Sequence, residues 1–254
     1  MMELLKTIDK IHYYNVTFEV CRMCNMKCAH CLRGDAENIK IKKAYIDRFL
    51  QTAASINCLT ITGGEPTLAV DMIQYIYDKC IEYGVEVYNV WCTTNGKIKS
   101  RKFLNVMTRF IEYTQEFDGE LSGVSLSTDQ FHDALPEENY WFYTDYEYYE
   151  DSKTRGKLNF TIPEGRAYDN NLVTNNWNGH QREDDKFVGY LNNSGELRLE
   201  EGLVYINAKG DILFCCDLSF YTQEYARHGN IMEGKEALFK LILENIDLEE
   251  CECA

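Results

Sequence analysis

Val16, Phe18 and Val20 are separated by Thr17 and Glu19, and this two-residue period predicts a strand over residues 16–20. Tyr45, Ile46, Phe49, Leu50 and Ala53 then recur every three or four positions, the period of a helix with one buried stripe. Residues 58–62 predict a second strand, which runs into Gly63-Gly64-Glu65-Pro66, where two glycines and a proline enforce a turn. Ile73, Ile76, Tyr77, Cys80 and Ile81 mark a second helix, and residues 85–93 a third strand closed by Asn95-Gly96. A third helical stripe follows in Phe103, Leu104, Met107, Phe110 and Ile111, then a fourth strand over residues 121–127.

Strand, loop and helix repeating at this spacing predict βα units, a parallel sheet and helices covering it. In parallel βα barrels the chemistry sits on loops leaving the C-terminal ends of the strands. Here those loops hold a run of cysteines, the Gly-Gly-Glu-Pro turn, Thr94-Asn95-Gly96 and Ser127-Thr128-Asp129. Beyond them, residues 137–153 are acidic and tyrosine-rich and predict a helix over the barrel, with residues 140–149 as half-buried packing. Residues 158–162 predict a fifth strand, 169–185 a long Asn/Asp/Gly-rich loop, 203–207 and 211–216 a hairpin, and 235–244 a last helix.

Charge narrows the choice of partner. With 26 Lys+Arg against 41 Asp+Glu the chain carries −15, which disfavours nucleic acid and anionic membrane surfaces. An apolar fraction of 45% is enough for a packed core. Residues 1–10 have no apolar stretch of signal-peptide length and no run approaches a membrane span, so the expected compartment is the cytoplasm. Strand one begins about a dozen residues in, so no separate peptide-recognition domain is expected before the barrel. Eleven cysteines in a reducing compartment call for metal, redox or catalytic explanations rather than a disulfide framework.

Cys24, Cys28 and Cys31 follow strand one with the spacing C-x3-C-x2-C. Three thiolates on one tight loop can hold three irons of a cubane and leave the fourth open. Structural zinc, with His30 as a fourth ligand, is the competing reading of the same residues. Asp129 and His132 follow strand four on the same face and are candidates for substrate binding or proton transfer. Their alternative is a helix N-cap by Asp129 with His132 in the first turn. Cys58, Cys80 and Cys92 read as small core residues, and Cys21 as a buried bystander.

The cysteine spacing and the Gly63–Pro66 turn together resemble the radical S-adenosylmethionine (SAM) superfamily, over roughly residues 13 to 162. The resemblance implies a partial (β/α)6 TIM-like barrel. It also implies a [4Fe-4S] cluster on Cys24, Cys28 and Cys31 with one open iron, and SAM bound there. Gly63, Gly64, Glu65 and Pro66 would meet the SAM amino group, while Thr94, Asn95, Ser127 and Asn159 would contact its carboxylate, ribose or adenine. His30 stands where many members carry an aromatic against the adenine. One electron, from a partner such as flavodoxin or ferredoxin, would cleave SAM to a 5′-deoxyadenosyl radical that abstracts hydrogen from substrate.

Cys215, Cys216, Cys251 and Cys253 lie outside that barrel. Residues 205–234 resemble the start of a SPASM or twitch extension, dividing the chain into a barrel over 1–200 and an extension over 201–254. An auxiliary iron–sulfur cluster, zinc and incidental thiols all remain open for these four cysteines. The substrate expected is a ribosomally made peptide or a protein side chain, cross-linked or epimerised. A small molecule such as a nucleoside or sugar is the alternative. A non-catalytic iron–sulfur carrier or zinc module is the alternative of another class, and Gly63–Pro66 and Thr94–Gly96 on successive loops argue against it.

Overall fold

The computed structural model describes residues 7–151, 161–174, 186–192 and 196–249. Three βα units come first: β1 (Ile11–Glu19), α1 (Lys43–Leu50), β2 (Ala53–Thr62), α2 (Val70–Tyr83), β3 (Glu86–Thr94) and α3 (Arg101–Gln115), followed by β4 (Gly123–Leu126). The four strands pair in parallel in the order β1-β2-β3-β4, so all their C-terminal ends lie at one edge. The fold is mixed α/β around a largely parallel sheet, and the sheet is open rather than closed into a barrel.

The register separates two faces. Phe18, Ile61, Cys92 and Val124 form one row across the strands, and each is at most 1% exposed. Phe18 meets Phe49 of α1 edge-on at 5.4 Å, which puts that helix on this face. Each such aliphatic or aromatic side chain contributes about 1.5–3 kcal/mol when fully buried. The adjacent row is Thr17, Thr60, Trp91 and Gly123, and on that face Thr60, Trp91 and Thr93 remain half-buried. The uncovered polar face supports a cavity of about 520 Å³ lined by Trp91, Thr93, Ser125, Glu120, Glu150 and Asp151, among others. Cys58 belongs to the polar face and is half-buried rather than a core residue; Cys80 and Cys92 are buried.

After β4 the structure departs from the expected pattern. The helix predicted over 137–153 is confined to α4 (Glu137–Thr144). Residues 148–150 instead lie beside β4 in a parallel bridge, with Val124 N–H donating to the Tyr148 carbonyl and Glu150 N–H to the Val124 carbonyl. Gly123 permits this approach, because a Cβ there would stand 2.9 Å from the Glu150 side chain and 3.2 Å from the Tyr148 carbonyl oxygen. A rudimentary fifth strand therefore comes from the tyrosine stretch. Of the fifth strand predicted over 158–162, residues 158–160 lie outside the described residues, and Thr161 and Ile162 are not in a strand. Thr161 is tied by its hydroxyl to the Leu172 carbonyl.

A short helix α5 (Gly165–Asp169) leads to β5 (Phe187–Leu191) and β6 (Leu197–Glu201), neither of which the periodicity revealed. β7 (Leu203–Ile206) and β8 (Asp211–Leu213) form the antiparallel hairpin expected near residue 210. β6 and β7 both pair in parallel with β1, β6 at Ile11–His12 and β7 over residues 15–18; Gly202, at φ +104°, separates them. The chain continues through α6 (Phe220–Ala226), β9 (Gly229–Asn230), α7 (Lys235–Glu244) and β10 (Ile246–Leu248), which extends the sheet beyond β5. Among the described residues no helix is long and apolar enough to cross a membrane.

Candidate functional site

The cysteine loop is built by continuing the β1–β2 ladder past both strands. Val20 N–H donates to the Thr62 carbonyl, Gly64 N–H to Cys21 (2.8 Å) and Glu65 N–H to Met23 (2.7 Å). This contact explains the two glycines: a Cβ on Gly63 would lie 2.5 Å from the Cys21 carbonyl oxygen, and one on Gly64 2.3 Å from that of Met23. Backbone cannot yield to such overlaps as a flexible side chain can. Cys21 is buried, with its thiol donating to the Glu65 carbonyl at 3.4 Å, and burial pushes that thiol up to about 11.

Glu65 is 1% exposed, and its carboxylate is turned inward. Oε1 accepts from the Thr67 amide, the Thr67 hydroxyl and the Thr94 hydroxyl, and Oε2 accepts from the Asn95 amide at 2.9 Å. One carboxylate thus fastens the loop after β2 to the loop after β3. The Gly63 and Gly64 carbonyls accept no hydrogen bond among the described residues, which leaves them as the acceptors this turn presents. Ser127 N–H in turn donates to the Thr94 carbonyl, and Asn139 of α4 donates to the carbonyls of Gly96 and Lys97. Asn95 Nδ2 reaches Asn25 Oδ1 at 2.8 Å and the Cys24 sulfur at 3.9 Å. Four strand-end loops are therefore sewn into one surface.

Cys24, Cys28 and Cys31 are each half-buried on it. Burial pushes the Cys24 thiol up, the Met26 N–H opposes this, and negative charge on Glu65, Cys31 and Cys28 adds to the rise. Negative charge at Cys31 and Cys28 thus bears on Cys24, and a cationic centre held by the three would relieve it. His30 has its Nδ1 buried without a hydrogen-bond partner among the described residues. Its Nε2 faces Asp129 at 3.5 Å and its ring stacks on Phe131, so His30 is turned toward loop four rather than into the thiols. That orientation disfavours His30 as a fourth zinc ligand. The chemistry of three thiols at this spacing fits a cluster with one open iron.

Asp129 does not cap a helix. It accepts from Phe131 N–H at 2.8 Å in a local turn and pairs with His132 Nδ1 at 2.9 Å. Burial opposes charging His132, but the Asp129 carboxylate and the nearby Cys28 outweigh it and push the ring up to about 9. Burial works the other way on Asp129, whose carboxyl is nevertheless held low by His132, the Phe131 amide and His30. Ser127, Asp129, His132, Tyr140 and Trp141 line a cavity of about 350 Å³.

Residues invisible to pattern reading hold the cysteine loop from beneath. Arg166 donates from its amide to the Cys31 carbonyl and from Nε to the Cys28 carbonyl, both at 2.9 Å, and Asn170 donates to the Ala29 carbonyl. Gly165, at φ +53°, lets α5 come this close, since a Cβ would stand 2.4 Å from the Leu32 carbonyl oxygen. The isolated Gly165-Arg166 pair carries no motif that could have announced this role.

The second cysteine group is differently placed. Cys215 and Cys216 leave β8 and pack, half-buried, around Tyr205, Leu213 and Leu218. The Cys216 thiol donates to Asp217 Oδ1 at 3.6 Å, while Asp217 N–H donates to the Cys215 sulfur. Cys251, Cys253 and Asn159 lie outside the described residues.

No protein-family model matches the chain, and a search of curated proteins finds no match. Similar solved structures exist. anSMEcpe with bound AdoMet and Cp18Cys peptide is 13% identical with a TM-score of 0.46, covering 93% of this chain and 82% of that one. Streptococcus suis SuiB bound to precursor peptide SuiA is 12% identical with a TM-score of 0.44, covering 95% of this chain; this chain spans 66% of SuiB. Likenesses this distant do not decide what the chain does; the residues of the site must.

Proposed function

We propose that the chain is a radical SAM enzyme that binds a [4Fe-4S] cluster through Cys24, Cys28 and Cys31 and acts on a peptide or protein side chain. The observation that carries this reading is the convergence of four strand-end loops. The cysteine loop is bonded to the Gly63–Pro66 turn, that turn to Thr94-Asn95 through Glu65, and Thr94 to Ser127. When bound, the cluster and SAM supply one-electron reductive cleavage and a carbon-centred oxidant. The chain's own residues orient and enclose them. The Gly63 and Gly64 carbonyls would accept the SAM ammonium, with Glu65 fixing their turn from behind. Asn95 and Ser127 would present polar groups to its carboxylate and ribose.

An acidic body attracts a basic peptide. An external one-electron donor, a flavodoxin or ferredoxin, would serve the cluster. The test is anaerobic reconstitution with iron and sulfide, followed by iron analysis and 5′-deoxyadenosine measurement with SAM and dithionite. About four irons per chain with deoxyadenosine formed, both lost when Cys24, Cys28 and Cys31 become Ala, is the expected result. About eight irons would bring the Cys215–Cys253 group in as an auxiliary cluster. Zinc without deoxyadenosine would overturn the reading.

A further inference from the structure

His30, Asp129 and His132 come together from two loops, and neither the cofactor roles above nor a plain ion pair accounts for how they are set. Their side chains are 15%, 8% and 13% exposed. Asp129 Oδ1 stands 2.9 Å from His132 Nδ1, and Oδ2 stands 3.5 Å from His30 Nε2. One ligand atom from each of the three residues lies within 4.8 Å of the other two. A separation of 2.9 Å suits a hydrogen bond, yet His132 Nδ1 is buried without one among the described residues. The two atoms are close but not aimed at each other. Co-ligands of one ion have this geometry: atoms each about 2.1 Å from the ion stand about 3.0–3.4 Å apart, with their lone pairs converging on it.

We infer that His30, Asp129 and His132 form a binding site for a divalent transition-metal ion of the Zn²⁺ type, distinct from the site of the three cysteines. Two imidazoles and a carboxylate suit such an ion, and three protein ligands with a position left over are the pattern of a catalytic rather than a structural zinc. Asp129 and His132 also line the cavity of about 350 Å³, so the open position has room for a small molecule or a side chain. The surroundings hold the ligands in place. Phe131 N–H donates to Asp129 Oδ1 at 2.8 Å, the His132 amide donates to the Asp129 carbonyl, and the His30 ring stacks on Phe131 at 4.8 Å. Without an ion Asp129 balances a protonated His132, and on ligation the imidazole gives up that proton. The inference does not rest on the cluster assignment of the preceding section. It gives Asp129 and His132 an ion to hold in place of the proton-transfer role their sequence position implies.

The experiment is an anaerobic titration of the full chain with Cys24, Cys28 and Cys31 changed to Ala, using Zn²⁺ in calorimetry and Co²⁺ in absorption. It is repeated with His30→Phe, Asp129→Ala or His132→Phe added. One ion per chain is expected, with cobalt d–d bands and no thiolate-to-cobalt charge transfer. Each added substitution should weaken Zn²⁺ binding by about a hundredfold. Absence of binding, a charge-transfer band that reveals sulfur ligands, or an affinity unchanged by Asp129→Ala and His132→Phe would overturn the inference. Should the alanine background not fold, the same three substitutions are compared in the cluster-loaded chain, with zinc counted by mass spectrometry after incubation with Zn²⁺ and desalting. Zinc held by wild type and lost in Asp129→Ala and His132→Phe supports the site; no zinc in wild type, or zinc kept in both variants, overturns it. A chain that binds Zn²⁺ at these three residues but forms no 5′-deoxyadenosine when reconstituted with iron would support this site while the reading of the preceding section fails.

Discussion

The chain has two cysteine groups in described structure, and they differ less in chemistry than in what their backbone permits. Cys24, Cys28 and Cys31 occupy a loop between β1 and α1, where spacings of four and three residues let successive thiols turn to one side. Cys215 and Cys216 are adjacent in irregular chain just past β8, and both pack against the cluster of Tyr205, Leu213 and Leu218. The first group is held by its backbone, with Arg166 and Asn170 on its carbonyls, and its Cys24 sulfur accepts from the Met26 amide and from Asn95. The second is held by its side chains, packed around Tyr205 and bonded to Asp217. The two groups thus differ in how their backbone is anchored, not in whether a sulfur accepts a hydrogen bond: the Met26 amide donates to Cys24 as the Asp217 amide does to Cys215.

Both groups depend on one buried ion pair. Arg22 and Glu19 meet at 2.8 Å with both side chains fully buried. Arg22 also reaches Gln223 of α6 at 2.7 Å and stacks over Phe220, while Glu19 accepts from the Tyr205 hydroxyl and the Ala208 amide. Arg22→Met should be the most damaging single change, because it strands the Glu19 carboxylate in the interior. A loss of about 3–5 kcal/mol in urea unfolding is expected. Iron uptake at Cys24–Cys31 and the packing of α6 should fail together. Retention of either alone would show that the two regions are independent.

Gly64→Ala sharpens the contrast from the loop side. Its Cβ would meet three backbone atoms of Arg22 and Met23 within 3 Å, and a cost of about 3 kcal/mol with loss of iron is expected. Gly84→Ala is the control: its Cβ meets nothing within 4 Å, and only the left-handed φ of +64° resists, for about 1 kcal/mol. Equal costs would mean that close approach does not explain the Gly-Gly turn. Glu65→Gln follows, at about 2 kcal/mol by urea unfolding, since an amide must turn a donor toward one of the groups that now donate to the carboxylate. Unchanged stability would return Glu65 to a role in ligand binding alone.

The first half of the chain was legible because local rules and tertiary structure agree there. Ile46, Phe49 and Leu50, Ile73, Ile76 and Cys80, and the whole stripe from Phe103 to Ile111 are buried where the helical period puts them. The strand-end loops were legible for the same reason: parallel pairing brings every strand end to one edge. What the sequence concealed depends on contacts between distant segments. Tyr148–Glu150 pair with β4 without any alternation, because Gly123 makes room for them. The inward turn of Glu65 could not be read either, since its partners Thr94 and Asn95 are some thirty positions away. Arg166 lies further still from Cys28, and an isolated arginine has no period to betray it.

The gentlest probe of the two cysteine groups leaves the fold intact and reads thiol reactivity against pH. Burial and the neighbouring Asp217 push the Cys216 thiol up to about 12, with Arg33 opposing them. The thiolate is the reactive form, so alkylation follows its population. At pH 8 that population is about one part in ten thousand, and it grows tenfold with each pH unit below the pKa. Labelling of Cys216 by iodoacetamide, followed by peptide mass spectrometry, should therefore rise about tenfold from pH 7 to 8 and again from 8 to 9, without a plateau. Loading the cluster should protect Cys24, Cys28 and Cys31 and leave this slope unchanged. A plateau at Cys216 below pH 9 would mean its sulfur is more exposed than its packing around Tyr205 allows. Protection of Cys216 by iron would move it from the packed group into the metal-binding one, and the contrast between the two groups would then rest on occupancy rather than on backbone.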